Sequence, residues 1–494
     1  MNIEKLVPGR LSCSLPLLLL CSVAVIGAGI LVYSQIWAFT WDESYHLLAA
    51  QLINHGKRPY LDFCFPQTPL DAYWNAAWMR LFGETWRVPH AVSAVLVMAT
   101  IWLASGYVFE RLPLGGWRLS CAMVVLAAIG LNCVILEYGV TGQAYGLCLL
   151  LTFAAFRLAV LAVSRTSGWP AAAAGFTASA AAASTLLTAV AAPVVLLWIL
   201  VYNQTGSRSK KVAAYLMGAF IPLLPVLWLF TKSPRVVMFN VFEYHLHFRK
   251  LYWPESTQHN VEVLTSWIDN GPALLLGLLA ITGILFVAFQ SGWDRHLRSE
   301  LYLCGWLASA IGAELSMPRP TFARYFLLTV PFLAVLACVG FYCVGSRLIG
   351  AERSLWLMFA LISLFTFGLA KSLHERHSDL YTWRDYEAMA RRVNQVTPPN
   401  GTLFADEPIY FLTKRMPPSG LELYYTHLIK LPAPLSASLH ILPEEEMYQQ
   451  VKSGMYDTAF SCEDDVIEKL GLPRLYANRE EIDGCNVFWG KRTK

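Results

Sequence analysis

Residues 15–46 read LPLLLLCSVAVIGAGILVYSQIWAFTWDESYH. The apolar run meets the length of about 20 residues that a spanning helix needs. Within a few positions it gives way to two adjacent carboxylates, Asp42 and Glu43. A carboxylate beside hydrocarbon is costly unless it has a partner or a task. Spacing alone leaves two accounts of Asp42: it caps a helix running over 44–55, or it takes part in chemistry at the membrane boundary. A third view, in which 15–33 is a cleaved signal peptide, lacks a convincing cleavage site after the run.

The rest of the chain repeats the apolar pattern. Of 494 residues, 56% are hydrophobic and 15% charged, whereas soluble domains carry about 25% charged residues. A net charge of +4 gives no reason to expect nucleic acid. Candidate spans lie at 15–33, 92–109, 119–136, 144–163, 170–186, 188–203, 211–231, 272–290, 300–316, 324–343 and 355–371. The Ala-rich run 170–203 is divided near Leu187, because one helix of that length overshoots the bilayer. Lys5 and Arg10, Arg111 and Arg118, Arg165, Arg208 to Lys211, Arg295 and Arg298, and Arg347 and Arg353 fall in alternate loops. By the positive-inside rule those loops are cytoplasmic. Segments 34–91, 232–271 and 372–494 are then outside.

The expected fold class is an all-α polytopic membrane protein with a small C-terminal α/β soluble domain. The expected domains are 1–371 in the membrane and 372–494 outside it. In the tail, 401–405, 456–461 and 486–490 read as strands, and 444–452 and 464–470 as short helices. Cys13, Cys21, Cys121, Cys133, Cys148, Cys304, Cys338 and Cys343 sit in apolar runs and act as small hydrophobes. Cys64, Cys462 and Cys485 lie in polar segments, and no C-x-x-C pair exists. In an oxidising compartment Cys462 and Cys485 are the candidates to pair.

The first outer loop is the most specific stretch. Asp42-Glu43 with Tyr45 is followed by Gly56-Lys57-Arg58-Pro59-Tyr60-Leu61-Asp62, by Pro66-x-x-Pro69-Leu70-x-x-Tyr73-Trp74, and by Leu81-Phe82-Gly83 and Arg87. This series resembles the start of polyprenyl-phosphate-sugar-dependent GT-C glycosyltransferases, among them protein mannosyltransferases and lipid A aminoarabinose transferases. Gln67-Thr68 between the two prolines is a mild departure. The Ala-rich segment 171–200 resembles the family's Gly/Ala-rich hairpin, without the Lys often found there. Arg324-Tyr325-Phe326-Leu327-Leu328-x-x-Pro331 resembles a late R-Y-x-L-x-x-P motif. Segment 398–408, leading to Ile409-Tyr410-Phe411-Leu412, resembles the tail of bacterial members.

The resemblance implies an inverting glycosyl transfer from a polyprenyl-phosphate sugar to a lipid, glycan or protein acceptor. It places the protein in a bacterial inner membrane with its site on the periplasmic side. It also implies that the acidic residue at Asp42 is essential. Relatives often carry a second acid between spans three and four, where this chain has Gly142 or Gln143, and Glu137 is the nearest substitute. The catalytic candidates are therefore Asp42, Glu43 and Glu137. A carboxylate in reach of the acceptor hydroxyl serves as general base. The phosphate leaves without an acid if cationic donors meet its charge, and the Arg fork suits that task. Arg324 leads as donor-phosphate ligand, with Arg319 and Tyr325 beside it; the competing role for each Arg is lipid-headgroup snorkelling. Candidate substrate contacts are Trp41, Tyr45, Tyr60, Asp62 and Trp74, against an interfacial aromatic belt.

Glu243, His245 and His247 alternate as on a strand face. His-x-His with no further ligand at metal spacing is a weak signal; it establishes no cofactor, and a divalent metal stays an open, weakly supported alternative. His46, His55 and His90 read as interfacial or structural. The competing functions are a flippase for a polyprenyl-linked glycan and a non-catalytic envelope assembly protein. A transporter should show internal repeats and charged mid-membrane helices, and no clear repeat is present.

Overall fold

The structure is a computed structural model that describes residues 14–249, 255–290, 292–377 and 381–492. Lys5, Arg10, Cys13 and Lys250 lie outside the described residues. The chain is mostly helical with one small sheet near its C-terminus. It divides into two compact units. The described residues of 1–35, 90–224 and 253–380 form one; those of 36–89, 225–252 and 381–494 form the other. Segments 36–89 and 225–252 thus fold with the tail, a grouping the linear order of the sequence does not display.

The expected spans coincide mainly with helix. Seven helices are long and apolar enough to cross a membrane: Leu15–Ile36, Arg87–Arg111, Tyr145–Ser164, Arg208–Lys232, Gly271–Phe289, Ala323–Leu348 and Ala351–Arg376. The chain is an integral membrane protein. The expected span 119–136 is broken. Its helix Arg118–Gly130 stops, and Asn132 then caps a new helix, Cys133–Tyr138, by accepting from the Ile135 N–H at 3.2 Å. The Ala-rich run divides as expected, into Trp169–Ser184 and Ala191–Tyr202 with a 3-10 turn Leu186–Thr188 between. Small residues serve packing here. A Cβ on Gly175 would collide with the Tyr215 carbonyl, and one on Gly218 with the Ala172 carbonyl, so two backbones touch. Glu300, inside Arg295–Ser316, is 3% exposed. It accepts from the Tyr107 hydroxyl at 3.0 Å and is ion-paired with Arg111, which is how a carboxylate is tolerated there.

The second unit joins two helices of the first outer loop, Trp41–Asn54 and Leu70–Phe82, with the tail. The tail opens on helix Trp383–Val396, started by a capping box in which Thr382 and Asp385 satisfy each other's backbone N–H. Tyr386, Met389, Ala390 and Val393 recur on its buried face. The sheet holds β1 (Leu403–Phe404), β2 (Thr458–Ser461), β3 (Tyr476–Ile482) and β4 (Cys485–Lys491) in the order β1-β2-β4-β3. β1 runs parallel to β2, and β4 is antiparallel to both its neighbours. Phe404, Met447, Val451, Tyr456, Ala459, Leu470 and Phe488 lie in its core. Helices Glu444–Lys452 and Asp464–Leu470 stand where the sequence puts them. Strand β3 was not expected. It turns into β4 through Asp483 and Gly484, with φ 49° and 80°, the left-handed pair of a type I′ hairpin. Cys462 and Cys485 form a disulfide between the ends of β2 and β4.

Candidate active site

Helix Trp41–Asn54 begins at Thr40, whose φ of −144° and ψ of 144° are extended. Asp42 and Glu43 therefore stand inside the first turn. Asp42 is not the N-cap, which removes the capping account of it, and both acids favour the helix dipole. Their environments differ. Glu43 is fully buried, and its carboxylate accepts from the Trp383 indole N–H at 3.1 Å. Asp42 is half-buried. Trp383 is itself packed against Phe39, Trp86 and Phe411. Glu43 thus anchors the helix to the tail, while Asp42 retains exposed surface.

The tail adds acids that sequence reasoning missed. Helix Glu407–Thr413 packs on Trp41–Asn54, and the Gln51 amide donates to the Phe411 carbonyl at 3.3 Å. Burial pushes the Glu407 carboxyl up to about 7; a hydrogen bond from the Tyr424 backbone N–H opposes this and the charge of Asp42 adds to it. Asp406 is shifted upward too, by burial and then by Glu407. One turn beyond Asp42, His46 pairs through Nδ1 with Asp71 at 3.0 Å. The 398–412 resemblance covers Glu407, but only the fold shows its proximity to Asp42.

The other loop candidates divide by exposure. Trp41 is 42% exposed and packs edge-on against Tyr381 and Tyr386. Tyr45 is half-buried between His46 and Phe65. Tyr60 has no exposed surface, has φ 69°, and donates its hydroxyl to the Gln67 carbonyl. It is a strut of the loop, and its burial leaves no face for a sugar. Asp62 is bonded to Arg58 at 2.9 Å; those hydrogen bonds hold its carboxyl below the usual range. Trp74 continues as a stripe through Trp78 and Phe82, while Asp71, Asn75 and Met79 face inward. That is the pattern of a helix lying in an interface.

The expected strand at Glu243 to His247 is instead a π-helical turn, Phe239–Phe248, so the alternation does not place these side chains on one face. Glu243 pairs with Arg235, and His245 meets the Pro66 carbonyl at 2.8 Å. Burial, aided by Arg249, pushes His245 down to about 4. Among the described residues no group of three or more His, Cys, Asp or Glu could hold a metal.

Glu137, Arg319, Arg324 and Tyr325 belong to the first unit. Arg324 is half-buried in the 3-10 segment Ala323–Thr329. Its guanidinium lies 4.4 Å from the Phe322 ring centre, 5.7 Å from Tyr138 and 5.8 Å from Tyr325. Tyr325 is buried. Arg319 is exposed and reaches Thr257 at 3.5 Å. Glu137 is ion-paired with Arg376 and accepts from the Cys133 thiol at 3.2 Å. No motif in the sequence marks Arg376.

No family model matches the sequence, and no curated protein matches it. Solved structures do. ArnT from Cupriavidus metallidurans in the apo state superposes with a TM-score of 0.66 at 14% identity, over 97% of this chain and 98% of that one. The same protein bound to undecaprenyl phosphate gives 0.64 at 14% identity, over 96% and 97%. The Archaeoglobus fulgidus oligosaccharyltransferase gives 0.50 at 15% identity, over 80% of this chain and 62% of that one. With near-complete coverage in both directions, the chain has the GT-C glycosyltransferase fold.

Proposed function

We propose that the protein is an inverting glycosyltransferase that moves a sugar from a polyprenyl phosphate to an acceptor hydroxyl outside the cytoplasm. The observation that carries this reading is the contrast at the start of helix Trp41–Asn54. Glu43 is fully buried and accepts from Trp383, while Asp42, inside the first turn and not at the N-cap, is half-buried. Asp42 takes the proton of the acceptor hydroxyl as the acceptor oxygen bonds to the anomeric carbon. The bond from that carbon to the phosphate oxygen breaks, and the polyprenyl phosphate leaves with the electron pair. Arg324 meets its charge. The similar ArnT structure bound to undecaprenyl phosphate supports this class of carrier. The alternation of Lys and Arg supports the outward orientation, in a bacterial inner membrane, with a lipid, glycan or protein as acceptor.

The test is transfer of labelled sugar from a polyprenyl phosphate by purified, stability-matched proteins. Asp42→Asn should lose about a hundredfold or more, the usual scale for a general base, while donor binding persists. Glu43→Gln keeps an acceptor for Trp383 and should retain most of the transfer. Wild-type turnover by Asp42→Asn would remove the mechanism.

A further inference from the structure

The short helix Cys133–Tyr138 packs against two elements of its own unit, the 3-10 segment Ala323–Thr329 and the helix Ser354–His377. Each sends a guanidinium to its C-terminal end. Arg324 lies over the Tyr138 ring, and Arg376 is ion-paired with the adjacent Glu137. The two side chains of that ion pair are unequal. Glu137 is 11% exposed and Arg376 41% exposed. A cation this open is within reach of a ligand, and the carboxylate it holds has the charge and planar oxygens of a phosphate mimic. The aromatic faces of Phe322, Tyr138 and Tyr325 around Arg324 attract its cation. The helix end therefore collects two cations and one internal anion.

We propose that Arg376 is a second phosphate ligand beside Arg324, and that Glu137 is a competitive occupant which releases Arg376 to the headgroup of a polyprenyl phosphate. This rests on the proposed transferase reading and gives Glu137 a role other than proton transfer. An ion pair that only holds the fold predicts that removing either partner impairs the protein in the same direction. A competitor predicts opposite directions, because Glu137→Gln frees the cation and Arg376→Ala removes it.

The experiment titrates the full chain, in nanodiscs of zwitterionic lipid, with polyprenyl monophosphate and separately with inorganic phosphate. Arg376→Ala should weaken binding of the polyprenyl phosphate about tenfold, as expected for one charged hydrogen-bonding partner. Arg376→Lys should recover part of the loss, keeping charge without the fork. Glu137→Gln should tighten binding about threefold to tenfold by the same measure. The double variant should bind like Arg376→Ala alone. Weaker binding in Glu137→Gln, or unchanged binding in Arg376→Ala, overturns the inference. Equal response to inorganic phosphate overturns the lipid carrier as the ligand. Asp42→Asn transfer, measured in parallel, separates the two ideas. If Asp42→Asn is inert while Glu137→Gln binds more weakly, the gate alone falls. If wild type neither binds polyprenyl phosphate nor transfers, both fall.

Discussion

Two acids from each unit meet different kinds of partner. In the membrane unit Glu300 meets Arg111 and Glu137 meets Arg376, so each acid is neutralised by a cation. In the unit built from the first outer loop and the tail, Glu43 meets an indole N–H and Glu407 a backbone N–H. A carboxylate matched with a guanidinium has its charge committed to an anchor. One that meets neutral donors keeps its negative charge available, and a second such acid nearby raises its affinity for a proton. The difference teaches where to look for a base: in the second unit, around Asp42. It also teaches where to look for an anion site, which is among the cations of the first.

Four further measurements would break or sharpen that contrast. The largest effect is expected at Arg324. Arg324→Ala should reduce transfer from a polyprenyl-phosphate donor by tenfold or more on the order of one lost charged hydrogen bond, and Arg324→Lys by less. Full activity in both stable variants would make Arg324 a headgroup anchor. Next comes Trp383→Phe, which withdraws the indole N–H from a fully buried carboxylate. A buried acceptor stripped of a donor costs about 1–3 kcal/mol, so thermal unfolding should move down clearly; an unchanged melt would show that Glu43 does not depend on the tail.

The third measurement is a pH profile. The folded Glu407 carboxyl stands at about 7, above its ordinary 4.5. The folded state therefore binds more protons than the unfolded one across that interval. The stabilisation is complete below about 4.5 and is lost as pH rises through 7. His245, pushed down to about 4, has the opposite sign, its stabilisation being lost as pH falls below 6.5. Between pH 6.5 and 7, where His245 no longer opposes it, Glu407 should dominate, and Glu407→Gln should flatten the decline in melting temperature. A slope that persists in the variant would place its cause elsewhere. The smallest effect is expected for Asp62→Asn. Exposed ion pairs contribute little, so the melt should be unmoved although Arg58 loses its partner; a large drop would make the loop 56–62 a structural element of the site.

Much of this was legible in the chain. Length and apolarity located the helices, because a membrane rewards long uncharged runs with few alternatives. The tail helices Glu444–Lys452 and Asp464–Leu470 carry acids at their first turn and Lys near their end, so their limits could be read. Strand β3 could not, since Asn478, Arg479, Glu480 and Glu481 give no apolar alternation on a strand with one neighbour. The Asp483-Gly484 turn was the available signal. Among the candidate residues, Asp42 stands out through its motif. Its distinction from Glu43 was invisible, because it depends on Trp383, and Arg376 was hidden for the same reason. Partners far apart in sequence are fixed by packing, and no local pattern records them.

The hydrogen bond from Trp383 to Glu43 spans 340 positions of the chain. Helix Trp41–Asn54 is synthesised first, and the donor for its buried acid follows 340 residues later. At 5–20 residues per second the delay is roughly 20–70 s. During that time the segment bearing Asp42 is without its brace. Truncated products that stop before Trp383 retain the motif but lack the clasp.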